Sequence, residues 1–144
     1  MRKLALGLAV AALTVLTAVP ALAHLESSKI TATFLGKEFD EPVYYHTESF
    51  RTYVHGEDLV GILGGSMAYD AATKQVTVKK GDTVIVMTVG DHKTATVNGQ
   101  PVAIDAGPRD REGEILLPIR FLAEKLGYKV AWHGDRQHVE VSTP

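Results

Sequence analysis

The chain has 144 residues, with 15 Lys and Arg against 17 Asp and Glu and a formal net charge of −2. Such a mixed, slightly acidic chain lacks the basic excess that phosphate contacts demand, which excludes nucleic acid as a partner. It has no cysteine, and this excludes a disulfide framework, a thiolate zinc site and a cysteine nucleophile.

Residues 1–23 read as a secretory signal peptide. Arg2 and Lys3 give a positive start, an apolar run follows from Leu4 to Val19, and Pro20 precedes the small-residue site Ala21-Leu22-Ala23. The run is shorter than the roughly 20 residues that span a bilayer, so a cleaved leader is expected, with a retained anchor as the alternative. Residues 24–144 then form one domain, secreted or associated with the cell envelope, and more acidic by the loss of Arg2 and Lys3.

Within that domain, Lys29–Leu35 and Lys37–Phe39 read as an opening hairpin. Glu57–Leu63 reads as a helix stopped by Gly64-Gly65, and Met67–Tyr69 and Gln75–Lys79 flank a turn at Asp70–Lys74. Thr83–Val89 is apolar on both faces, which predicts a strand buried in the middle of the domain. Lys93–Asn98 alternates and ends in Asn98-Gly99, a strong hairpin signal because both positions tolerate positive φ. Gln100–Ile104 is the return strand, and Asp105–Glu114 reads as a polar loop rich in Gly, Pro and charge. After Ile115–Leu117, Pro118 suits a first helical turn, where its missing N–H would be unpaired anyway. Ile119, Leu122 and Leu126 then form one apolar stripe, with Arg120, Glu124 and Lys125 toward water. Gly127 stops the helix, Lys129–Trp132 is a strand, and His138–Val141 closes the domain after a turn at His133–Gln137. Strands outnumber helices and are joined mostly by tight turns. The expected fold is therefore α+β, an antiparallel β-sheet with short helices.

The chain also repeats itself at an offset of 63 residues. Aligning 31–78 with 94–141 without gaps gives ten identities over 48 positions. They include Thr31-Ala32-Thr33 on Thr94-Ala95-Thr96, Leu59 on Leu122, Leu63-Gly64 on Leu126-Gly127, and Val76 and Val78 on Val139 and Val141. Tyr69 on Trp132 extends the shared apolar pattern. This predicts a hairpin–helix–hairpin unit used twice in a single domain. The shared residues are core and turn residues, and none is a nucleophile, ligand or base.

Two segments resemble a known family. They are Thr94-Ala95-Thr96-Val97-Asn98-Gly99-Gln100-Pro101-Val102, and Leu117-Pro118-Ile119-Arg120-Phe121-Leu122-Ala123-Glu124-Lys125-Leu126-Gly127 followed by Val130-Ala131-Trp132. Together with Lys79-Lys80-Gly81-Asp82-Thr83 and Thr88-Val89-Gly90, they look like the copper amine oxidase N-terminal, or stalk, domain family. The likeness runs from about residue 50 to residue 141. The chain departs from the family's pattern at Val54-His55-Gly56-Glu57, which lacks a Pro and an Arg, and at Arg111-Glu112-Gly113-Glu114. The resemblance implies an accessory module, an antiparallel sheet wrapped on a helix, without the copper ligands or the quinone of the oxidases. No enzyme activity and no cofactor are expected of it.

The remaining candidates for chemistry each have a plainer structural reading. Gly64-Gly65-Ser66-Met67-Ala68 has the look of a nucleophile elbow, but it leaves a helix for a strand, the reverse of what that motif needs. His133 and His138 flank one turn with Asp135 nearby, and His24 would become a new N-terminus. Imidazole and carboxylate suit copper or zinc, so an extracytoplasmic metal-binding protein is the alternative reading. Solvated turn histidines are the plainer one. Tyr44, Tyr45 and Phe50 stand opposite loop positions of the second copy. They are candidates for partner contact, with Arg109 and Arg111 from the equivalent loop. The leading reading is a non-catalytic exported module that acts by contact with a protein or cell-wall component, with a homodimer as a further arrangement.

Overall fold

The computed structural model describes residues 25–27 and 29–144. The leader read at 1–23 and His24 lie outside the described residues. Among the described residues, three sheets and two short helices enclose the core. The first sheet holds β1 (Leu25–Ser27), β4 (Tyr44–His46), β5 (Arg51–His55), β12 (Glu114–Pro118) and β11 (Arg109–Arg111), in that spatial order and antiparallel throughout. The second runs β10 (Gln100–Ala103), β9 (Thr94–Val97), β8 (Thr83–Thr88), β7 (Gln75–Lys80) and β6 (Ser66–Asp70). The third runs β13 (Lys129–His133), β14 (His138–Ser142), β2 (Thr31–Phe34) and β3 (Lys37–Glu38). Its β14–β2 pair is parallel, with Val139 opposite Ala32 and Val141 opposite Phe34. The α+β class and the antiparallel character expected from the sequence hold, with this pair as the exception.

The helices α1 (Gly56–Ile62) and α2 (Ile119–Lys125) continue directly from the adjacent strands β5 and β12. Seven residues are too few for a helix to persist alone in water, so packing must hold them. Leu59, Val60 and Leu63 at α1, and Ile119, Leu122, Ala123 and Leu126 at α2, are buried in one cluster with Val54, Leu117, Val76, Val78, Ile85, Val139 and Val141. Each fully buried aliphatic side chain of this kind contributes about 1.5–3 kcal/mol. Both helices end as the sequence predicts. Gly64 and Gly127 take φ of 81° and 93°, and the N–H groups of Gly65 and Tyr128 turn back to the carbonyls of Val60 and Ala123. A smaller cluster of Tyr44, Tyr53, Ala106 and Leu116 lies in the first sheet, with Leu25 packed against it.

Asn98-Gly99 forms a two-residue turn, with φ of 51° and 76° and Gln100 paired to Val97. Three features differ from the expectations. The loop at Asp105–Glu114 contains β11, hairpinned to β12 through Glu112 and Gly113, both at positive φ. β8 is central in its sheet, yet only Ile85 and Met87 are fully buried, while Val84 and Val86 on the other face are half-buried. Tyr69 and Trp132, read as part of the apolar pattern, lie on the edge strands β6 and β13 and are 36% and 48% exposed.

Candidate ligand-binding groove

A groove of about 660 Å³ opens between the β4–β5 hairpin, the loop after β10, the outer face of α2 and the edge strand β13. Each element brings side chains for a local reason. The hairpin turn puts Phe50 in the left-handed region at φ 55° and leaves it 71% exposed, an uncommon conformation for a bulky residue. Tyr45 stands beside it, with ring centroids 6.1 Å apart and planes tilted by 54°. Because α2 buries its leucine stripe, its opposite face must offer Arg120, Phe121 and Glu124. The edge strand β13 brings Val130, Ala131 and Trp132 to the groove.

Charge in the groove is balanced within it. Arg51 bonds Asp105, joining the hairpin to the loop after β10. Arg120 Nη1 donates to Glu124 Oε1 at 3.0 Å, one helical turn on, and to the Val130 carbonyl at 3.4 Å. The side chains of both pairs remain 40–65% exposed and can still meet a ligand.

Around the smaller core cluster, Arg109, Arg111 and His55 pack against its tyrosines. Tyr53 is fully buried and the guanidinium carbon of Arg109 lies 5.5 Å from its ring centre. Burial raises the Tyr53 phenol above its ordinary value, against the opposing pull of Arg109. Tyr44 stacks on His55 at 6.1 Å on one contact and receives Arg111 at 4.8 Å on another. His92 Nδ1 accepts the Gly107 N–H at 2.9 Å. His92 is held below its usual 6.5, first by burial, then by the charges of Arg109 and His46.

The structure thus separates the residues singled out from the sequence. Tyr45 and Phe50 line the groove. Tyr44 is 6% exposed and belongs to the smaller core cluster, while Arg109 and Arg111 cover Tyr53 and Tyr44 instead of lining the groove. His133 Nε2 meets Glu140 Oε2 at 2.9 Å, and the His138 ring lies between the hydroxyls of Thr31 at 2.7 Å and Thr33 at 3.0 Å. The two histidine rings are 6.1 Å apart and Asp135 is exposed. Among the described residues, no group of three or more His, Cys, Asp or Glu is placed to hold a metal ion. Sequence reasoning missed Trp132, Arg51, Asp105, Phe121 and the Arg120–Glu124 pair as groove residues. Trp132 had the same apolar spacing as a core residue, and only its place on a sheet edge exposes it.

A family model described as the copper amine oxidase N-terminal domain matches residues 31–141. The chain belongs to that family. A comparison with curated proteins returns no match. The family match begins at Thr31, so the stalk-type domain includes the β2–β3 hairpin as well as the stretch from about residue 50. This is the N-terminal, non-catalytic domain of the amine oxidases, and the matched residues contain no catalytic domain. No described helix of the stalk-type domain is long and apolar enough to cross a membrane.

Proposed function

We infer that this stalk-type domain is an exported binding module that acts by contact with a protein or cell-wall component, without chemistry of its own. The observation that carries this reading is the groove, where exposed Phe50 and Trp132 flank an apolar floor edged by half-exposed ion pairs. Exposed aromatics at a concave site bury a large area at low entropy cost on binding. The leader pattern at 1–23 supports export, and the family's amine oxidases are extracytoplasmic in general.

The scaffold beneath is a duplicated unit in the same reading. α1 and α2 begin at Gly56 and Ile119, β6 and β13 at Ser66 and Lys129, each 63 residues apart. The β5–β12 pairing sets Val54 against Leu117, positions that the alignment makes equivalent, as a local two-fold axis through that pair requires.

The test is retention of residues 24–144 on purified envelope material against buffer-only beads. Retention is expected, and a Phe50→Ser/Trp132→Ala variant, changed only at exposed positions, should lose most of it. Equal retention of variant and parent would remove the groove from the function, and reproducible turnover in a broad hydrolase screen would overturn the non-catalytic reading.

A further inference from the structure

The balance of the groove narrows the class of ligand. Two arginines and two carboxylates are paired inside it, Arg51 with Asp105 and Arg120 with Glu124, so its lining carries no net charge to draw in a charged partner. Each pair nevertheless remains about half exposed, which leaves guanidinium donors and carboxylate acceptors side by side at the rim. A hydroxyl group both donates and accepts, and it can bond such a pair without breaking it. Trp132 and Phe50 line the same groove, with Tyr45 beside Phe50. An aromatic face carries negative potential and attracts the weakly positive C–H groups that line one face of a pyranose ring. A volume of about 660 Å³ lies within the range of small-ligand clefts.

The fold by itself does not require these groups. The residues 63 positions before Arg120, Phe121, Glu124 and Trp132 are Glu57, Asp58, Gly61 and Tyr69. That surface of the other helix and edge strand therefore carries two acids, no cation at the matching positions and a smaller aromatic. The groove's residues are particular to one side of the molecule, as a recognition site would be and a packing requirement would not.

We propose that the groove binds a neutral pyranose oligosaccharide, stacking sugar faces on Trp132 and Phe50 and bonding hydroxyls to the Arg51–Asp105 and Arg120–Glu124 pairs. This rests on the contact reading above and names the partner as a glycan rather than a protein. Trp132 is the only tryptophan of the chain, so its fluorescence reports the groove directly. Residues 24–144 are titrated with N-acetylchitotetraose and with cellotetraose while Trp132 emission and heat are followed. The expected result is a saturable emission change with matching heat for at least one sugar. It should weaken about tenfold in Phe50→Ser and in Glu124→Gln, both at exposed positions, with unchanged thermal unfolding. No saturable response to either sugar at millimolar concentration overturns the proposal, as does binding that both variants leave intact. If the sugars fail but envelope retention persists and needs Trp132, the groove's partner is not a neutral glycan and only this inference falls. If retention fails as well, the contact reading falls with it.

Discussion

Two glycines are required here for opposite reasons. Gly99 sits at φ 76°, and a Cβ there would meet no atom within 4 Å, so replacing it costs only backbone strain. Gly99→Val, β-branched at positive φ, should lose about 1–2 kcal/mol in a denaturant titration. Gly107 needs no left-handed angle, but a Cβ on it would stand 1.8 Å from the Asp91 carbonyl oxygen. Gly107→Ala must push two backbone segments apart and should cost about 1–3 kcal/mol or more, read as a lower midpoint in the same titration. The same junction carries the pH dependence. His92 takes the Gly107 N–H on Nδ1, which favours the neutral ring, and burial with the nearby charges of Arg109 and His46 holds its pKa below 6.5. The unfolded chain therefore binds this proton more readily. The contribution is fully present above about pH 6.5 and is lost as the pH falls through that value toward the lower folded one. Asp91, lowered by the N–H groups of Lys93 and Thr94 and by the Thr94 hydroxyl, acts the same way only around and below its usual 3.8. The urea midpoint should drop between pH 7.5 and 5.5, and His92→Asn, which keeps an acceptor, should flatten that drop.

At the scale of elements, each helix is short enough that its apolar stripe is its main support. Leu122 is fully buried and Leu126 is 9% exposed at the helix end. Leu126→Ala should cost about 2–5 kcal/mol in urea unfolding. A loss below about 0.5 kcal/mol would mean that α2 is peripheral to the core. These stripes were legible in the sequence because helical periodicity needs only residues within one or two turns. β11 was not. Arg109-Asp110-Arg111 carries no apolar alternation, and the strand exists because β12 beside it offers a free edge and Glu112-Gly113 closes the turn. A partner decided that element, not a propensity.

For the whole molecule, each of the three sheets takes strands from both sides of the Gly81-Asp82 turn. β5 pairs with β12, β7 with β8, and β2 with β14. Neither half can complete a sheet or cover its own leucines. Separate chains of residues 24–80 and 83–144 should each lack a cooperative unfolding transition by circular dichroism, and mixing them should restore one. A cooperative transition in either half alone would show that it holds a sufficient core.

The local grammar of this protein was settled by its sequence: the Asn98-Gly99 turn, the two leucine stripes and their glycine stops, and the segments that carry the family likeness. The turn, the stripes and the stops depend on residues a few positions apart, so spacing reveals them, whereas the family likeness rests on resemblance to a known pattern. Tertiary structure decided which hairpins share a sheet, that β14 and β2 run parallel, and that Tyr44 faces inward while Phe50 faces out. It also assembled the groove, whose walls come from the β4–β5 hairpin, the loop after β10, α2 and β13. Trp132 shows the physical reason. Alternation along a strand sets which of two faces a side chain takes, but whether that face is covered depends on what the rest of the chain brings against it, and at the edge of the third sheet it brings only the open groove.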